Sequence, residues 1–440
     1  LWDSQKLGRR FSTAYHGLIL VESNAKYIRA ILRHYHDEYT KRGKSHMAVV
    51  EHFGLTTVES RRYMVFSNLV VDVHAKSIRS LRSIGYMYVP QIIAQQTDLP
   101  PDMIPIANSA PVILRLRILR IFYNVARDYT QINFPSFLCF FSMAASATVF
   151  DRIQAEIGGM PSAYLMSAYG SVGKSEWCAM KMAILGFLKK AQCASSTTPG
   201  LYALASRVRN LLVIVDDAED NTNQKKGNID SVTVKALYNA QHRVVFNKIQ
   251  KIWSAVDFSA NSVMMQDNQP AQSRLCLFMV KKIDNFRPDV LRYWNLLMKM
   301  MSMLTIDVCC WPFSKTCHED CTEFMWQLLV DGNDGVASRS AQNWSLVLYR
   351  VLQMLYLMGA PTEEYHRFFE FFASQVNTSV LLYAANGGAW STFVRHFHMF
   401  RTAGMNHPRG AGVDCFHVHN VLSNKTFQGH AYFAVDLDSV

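Results

Sequence analysis

The chain has 440 residues, half of them hydrophobic, with a mean hydropathy of zero. That is long and apolar enough for two or three domains with sizeable cores, and it excludes a disordered polymer. Lys and Arg outnumber Asp and Glu by 45 to 34, a formal charge of +11, which favours polyanionic partners such as nucleic acid, although a basic soluble enzyme carries the same excess.

Nine cysteines, an odd number scattered through apolar and helical contexts, read as reduced thiols of an intracellular protein. The first ten residues are polar, and the apolar run at 16–21 is too short for a cleavable signal. In chain order, the pattern predicts a helix at 25–39, strand-like pieces at 62–73, a linker at 98–111 with four prolines, and a helix at 112–126. An apolar helix follows at 137–150. It is marginal for a membrane span and reads as a buried helix beside a sheet, so no membrane partner is expected.

Residues 163–167 form a short, mostly apolar run, and 176–190 have helical periodicity. Between them, residues 168–175 read A-Y-G-S-V-G-K-S, the phosphate-loop pattern with Ala168 in place of its first Gly. A triphosphate needs converging backbone N–H donors, and a glycine-containing loop opening a helix supplies them. The expected binding residues are Ala168, Gly170, Ser171, Val172, Gly173, Lys174, Ser175 and Glu176. Lys174 would reach the β- and γ-phosphates, and Ser175 would offer its hydroxyl to Mg²⁺, a hard cation that prefers oxygen.

Residues 211–220 read L-L-V-I-V-D-D-A-E-D, a buried parallel strand presenting acids at its C-terminal edge. Asp216 is placed to hold Mg²⁺, and Asp217 to take the proton of an attacking water, with Glu219 as the other candidate base. A polar loop at 221–228 carries Lys225 and Lys226, and a helical pattern runs on to about residue 246. Then come 253–261, W-S-A-V-D-F-S-A-N, and 272–280, Q-S-R-L-C-L-F-M-V.

Over residues 167–281 the sequence resembles the ring-forming helicase ATPases of superfamily 3 and their wider AAA+ relatives. In those proteins two nucleotide motifs precede a strand ending in Ser-Asn or Thr-Asn, and an Arg precedes a final strand. The resemblance implies that Asn261 orients water near the γ-phosphate and that Arg274 reaches a neighbouring subunit's nucleotide as an arginine finger. It also implies that Lys225 and Lys226 face a channel holding nucleic acid, although a solvated surface loop fits them equally. The acid pair Asp216-Asp217 departs from the Asp-Glu of many AAA+ proteins, which leaves the base between Asp217 and Glu219 open.

Beyond residue 285 the chain reads as helical, rich in Met, Phe and Trp, and ends in strand-like pieces at 413–421 and 430–437. Cys309, Cys310, Cys317, His318 and Cys321 contain possible zinc ligands but no C-x-x-C knuckle, so a cysteine-rich helix end is the simpler reading. The expected fold is α/β: a P-loop NTPase core with a parallel sheet at 129–285, a mixed accessory region at 1–128 and a mainly helical region at 286–440. The expected function is a Mg²⁺-dependent ATPase acting on nucleic acid, DNA favoured, as a homo-oligomeric ring, with a hexamer one candidate size. The alternative is a nucleotide-dependent switch or assembly scaffold without unwinding activity.

Overall fold

A computed structural model describes residues 48–50, 52–80, 86–87, 104–167, 172–187, 198–218, 229–245, 248–261, 265, 268–283, 287–328, 335–384, 419–420 and 433–434. The helix expected at 25–39 and residues 98–103 of the linker expected at 98–111 lie outside these residues. Toward the amino end, β1 (Ala48–Val49) pairs in parallel with β6 (Tyr86–Met87). An antiparallel meander follows β1, made of β2 (Phe53–Val58), β3 (Arg61–Val65), β4 (Val70–Asp72) and β5 (Ser77–Arg79). Its fifth strand comes from far along the chain: β8 (Val208–Arg209) lies parallel to β2, with Gly54 facing Arg209. A Cβ on Gly54 would sit 1.8 Å from the Arg209 carbonyl oxygen, and its φ is +88°, so glycine is what admits the crossing strand.

Next come α1 (Val112–Thr130), a 3₁₀ turn at Gln131–Asn133, α2 (Phe134–Ser142), α3 (Ala144–Ala147) and α4 (Phe150–Ile157). The single helix expected at 137–150 is therefore broken. Ser142 and Thr148 turn their hydroxyls onto the carbonyls of Cys139 and Ala145, each at 2.9 Å, and compete with the helical ladder. Among the described residues no single helix is long and apolar enough to cross a membrane.

The central sheet is parallel throughout, in the order β13 (Leu275–Met279), β7 (Ser162–Met166), β12 (Ala255–Ala260), β9 (Leu212–Val215). Every residue of these strands is buried, as expected of a parallel sheet covered on both faces. The linking helices are α5 (Lys174–Ala183), α6 (Thr198–Ala205), α7 (Ser231–Tyr238) and α8 (Gln269–Gln272). Asp230 caps α7 by accepting from the Thr233 N–H at 2.6 Å. That helix stops at Tyr238 rather than near residue 246. Ala240 turns with φ +49°, and β10 (Arg243–Val245) and β11 (Lys248–Gln250) form an antiparallel hairpin instead.

Beyond residue 286 the described residues are mainly helical: α9 (Pro288–Met300), α10 (Thr305–Cys310), α11 (Lys315–Leu328), α12 (Gly335–Met358) and α13 (Thr362–Ala384), before the short pair β14 (His419–Asn420) and β15 (Phe433–Ala434). Its Met and aromatic stripes pack as core. Phe278 on β13 meets Phe140 of α2 at 6.3 Å and Trp344 of α12 at 5.3 Å, so α2 and α12 cover the sheet edge. Burying each such ring stabilises by about 1.5–3 kcal/mol.

Asp151 of α4 ties the meander to the sheet. Arg62 of β3 donates to its two oxygens at 2.6 and 2.9 Å, and Asn210, in the turn between β8 and β9, donates at 2.5 Å. Burial alone would raise the Asp151 carboxyl, but the bonds from Arg62 and Asn210 and the charge of Arg62 hold it below its ordinary value. A lowered folded value means the link is fully formed above the unfolded carboxyl's range, near 3.8, and is lost as pH falls through the folded value. The Asp151→Asn chain is therefore less stable than the parent at pH 7, and the difference closes in acid. Denaturant midpoints across pH 2–7, taken as roughly spanning the carboxyl range, check this; a difference that does not change with pH contradicts it.

Candidate active site

The strand registers fix which residues meet at the C-terminal edge of the sheet. Ala260 lies opposite Met166, and Phe258 lies opposite both Tyr164 and Val215. Ser167, Asn261 and the Asp216–Asp217 pair therefore leave neighbouring strands at one level. Two further backbone bonds hold that edge, Ser167 N–H to Ala260 O at 3.3 Å and Ala218 N–H to Ser259 O at 2.8 Å. The strand order reverses between β7 and β12, the place where open α/β sheets form their ligand crevice.

Helix α5 opens into this crevice. Gly173 caps it with φ +85°, and a Cβ there would meet nothing nearer than the Tyr129 hydroxyl at 3.7 Å. Conformation rather than crowding therefore calls for glycine, and the positive end of the helix faces the loop. Glu176 lies in the first turn, and Val172 is the first described residue of the loop. Ala168, Gly170 and Ser171 lie outside the described residues, as do Glu219, Lys225 and Lys226.

The described polar side chains converge. Lys174 Nζ donates to Asn261 Oδ1 at 2.5 Å, Ser175 Oγ donates to Asp216 Oδ2 at 2.9 Å, and Asn261 Nδ2 approaches Asp217 Oδ1 at 3.5 Å. Lys174 and Asp216 are each only 7% exposed, whereas Asp217 is open to solvent. Burial pulls the Lys174 ammonium below its usual value, and the charges of Asp217 and Asp216 work against that. Asp217 adopts φ +51°, a conformation that Asp tolerates better than most residues and that turns it out of line with Asp216. Asp216 Oδ1 is buried and has no hydrogen-bond partner.

That orphaned oxygen, with Ser175 Oγ beside the other carboxylate oxygen, fits a small hard cation. Mg²⁺ takes one or two protein oxygens and completes its shell with water and phosphate. Among the described residues no three His, Cys, Asp or Glu side chains converge on a metal position, the Cys309–Cys321 stretch included. His318 there is buried, and its Nε2 lies 2.9 Å from Ser345 Oγ.

Two features beneath the site have no signal in the local sequence. Lys181, two turns along α5 from Lys174, donates to Asp257 Oδ2 of β12 at 2.6 Å, and both side chains are essentially sealed from solvent. Burial raises the Asp257 carboxyl and lowers the Lys181 ammonium, and each charge partly reverses the shift of the other. Asp257 Oδ1 also accepts the Ala163 N–H at 2.8 Å, so one carboxylate pins α5 to β7 and β12 below the crevice. Tyr129 of α1 walls the loop. Its ring stacks on Trp294 at 4.1 Å, and burial together with Glu176 pushes its hydroxyl up to about 12.

Arg274 stands apart. It precedes β13, and Leu275 pairs with Ser162 at the start of β7, so it lies at the N-terminal edge of the sheet. The length of β7, about 13 Å at ~3.3 Å per residue, separates it from the crevice. Lys174, Ser175, Asp216, Asp217 and Asn261 are brought together; Arg274 is not.

No family model matches the sequence, and no curated protein matches it. Among solved structures, one described as "SCCmec type IV Cch - active helicase" aligns with a TM-score of 0.57 at 11% identity, over 88% of this chain and 70% of that one. At that identity the likeness is one of fold. A second, "The A form apo structure of NrS-1 C terminal region-CTR", aligns over 79% of this chain and 90% of that one at 8% identity, and its TM-score of 0.27 carries no argument.

Proposed function

We propose that the chain is a Mg²⁺-dependent ATPase of P-loop type that works as a ring-forming, helicase-like motor on nucleic acid. The observation that carries this reading is the convergence of Lys174, Ser175, Asp216, Asp217 and Asn261 at the switch point of a parallel sheet. A helix N-terminus with a buried lysine attracts a polyphosphate, and Lys174 exchanges its bond to Asn261 for phosphate oxygens. Ser175 and Asp216 would hold Mg²⁺, which would supply charge neutralisation to the bound triphosphate. Asp217, exposed and within reach of Asn261, accepts the proton of a water that Asn261 orients. Arg274, far from its own crevice, serves the nucleotide of a neighbouring copy.

The fold shared with the Cch helicase structure, the charge of +11 and the β10–β11 hairpin support a nucleic-acid substrate. The hairpin segment carries Arg243 and Lys248 and no acid, and it leads into Lys251. Lys–phosphate and Arg–phosphate contacts supply salt-sensitive affinity of the kind a translocating strand needs.

Two outcomes follow. Ser175→Ala raises the Mg²⁺ concentration for half-maximal hydrolysis by about tenfold or more, because one of two protein oxygens is lost; an unchanged metal titration contradicts the assignment. Single-stranded DNA stimulates phosphate release severalfold, roughly what coupling of about 1 kcal/mol gives. Indifference to DNA with hydrolysis intact selects the switch or scaffold reading instead.

A further inference from the structure

In the first turns of α5 the chain places Trp177, whose backbone N–H donates to the Gly173 carbonyl at 3.1 Å. A long side chain on a helix leans back over the turn before it, and here the indole returns to Gly173. Its Nε1 lies 4.0 Å from the point where a Cβ on Gly173 would stand, and the Tyr129 hydroxyl lies 3.7 Å from the same point. Two neutral donors, from α5 and α1, thus flank the open side of the residue that caps α5. Trp177 is 1% exposed, and its indole N–H makes no hydrogen bond among the described residues.

The rings fix one another. Trp177 meets Phe137 of α2 edge-on at 5.2 Å, Phe137 meets Trp294 of α9 in the same manner at 5.3 Å, and Trp294 stacks on Tyr129 at 4.1 Å. Both donors are therefore held by packed helices, with little rotamer freedom left to lose when a ligand arrives. A Phe at 177 would fill much of the same space. Trp adds a donor that the fold leaves unused, and a buried N–H without a partner carries a desolvation cost. The Tyr129 hydroxyl, raised to about 12 by burial and Glu176, keeps its proton at neutral pH and remains a donor. The first backbone N–H groups of α5 have no partners within the helix and draw an anion to the same turn, so an anionic oxygen is the acceptor that both side chains would meet.

We propose that Trp177 and Tyr129 bind the nucleotide through side-chain hydrogen bonds to its phosphate oxygens, beside Lys174 and the backbone donors of α5. This rests on the ATPase reading and adds two binding residues that the phosphate-loop pattern does not specify. Trp177→Phe, which keeps an aromatic ring against Phe137 and removes the N–H, weakens ATP binding about tenfold in titration calorimetry, the weight of one hydrogen bond to a charged group. Tyr129→Phe, which keeps the stack on Trp294, weakens it by about threefold to tenfold. In the parent, the indole N–H resonance that is missing from the Trp177→Phe spectrum shifts on addition of ATP, and it shifts also with inorganic triphosphate, which carries the phosphates without base or ribose.

The proposal is overturned by ATP affinity within about twofold of the parent in both variants, or by an indole resonance that saturating ATP leaves in place. A shift with ATP but none with inorganic triphosphate also overturns it, since the N–H would then face the base or the ribose. If Trp177→Phe loses the thermal transition of the parent, the calorimetry of Tyr129→Phe decides. Failure of the underlying reading looks different. A parent chain that binds no ATP defeats the ATPase reading itself, whereas ATP binding that depends on Lys174 and leaves the Trp177 indole unmoved defeats this proposal alone.

Discussion

Lys174→Ala lowers ATP turnover by about 10²–10³-fold while the chain stays folded, as measured by steady-state phosphate release and by an unchanged thermal transition. The size of the effect follows from where the ammonium sits. It is 7% exposed, at the mouth of a helix N-terminus, and its Asn261 partner is neutral, so much of its charge is available to an incoming phosphate. In such a partly dry crevice a positioned cation acts at lower dielectric than in water, and on the proposed mechanism it would stabilise charge growing on the β–γ bridging oxygen. Removal of the ammonium also frees Asn261 from its bond, so the water positioning proposed for Asn261 and Asp217 would loosen in the same variant. Turnover within about tenfold of the parent would remove Lys174 from the chemistry.

Asp257→Ala destabilises the fold by about 3–5 kcal/mol, because it strands the Lys181 ammonium in a site with no other carboxylate bonded to it. The remaining neighbour, the Phe140 ring 4.1 Å below the Lys181 Nζ, does not replace an ion pair. The double variant Lys181→Met, Asp257→Leu recovers most of the loss, since no charge is then left buried. A residue of about 1–3 kcal/mol remains for the Ala163 N–H that Asp257 had satisfied. Denaturant melts of the parent, the single and the double variants check this. A single variant within about 1 kcal/mol of the parent would show that the pair is not the pin described here.

What the amino-acid sequence discloses of this fold divides by range of contact. Residues 163–167 and 211–215 are legible as strands because each is a short apolar run ending in chemistry-bearing residues. The turn at Gly173 is legible because only glycine adopts its φ readily. Lys174, Ser175 and Asp216 could be named before their geometry was seen, since loop and acidic strand carry fixed residue types at fixed positions.

The crossing of β8 into the meander could not be read. Val208 and Arg209 look like the tail of a helix, and what places them is Gly54, more than 150 residues earlier. Lys181 reads as an ordinary polar position on α5, and Asp257 as an anomaly inside an apolar strand; the pair exists only once helix and sheet are stacked. The β10–β11 hairpin did leave a trace, in the β-favouring run Val244, Val245 and Phe246, but the helical period of the preceding segment masked it. Arg274 shows the reverse case, a residue named from a resemblance whose place at the far edge of the sheet came from the strand register.

On the proposed function, the crevice around Lys174 recognises a metal-bound triphosphate. Titration calorimetry with ATP, with and without Mg²⁺, and with AMP under the same conditions, tests it most directly. ATP binds saturably, Mg²⁺ strengthens that binding and Lys174→Ala weakens it, with AMP bound at least about tenfold more weakly for want of the β- and γ-phosphates. Equal affinity for ATP and AMP, or ATP binding indifferent to both Mg²⁺ and Lys174, would contradict it.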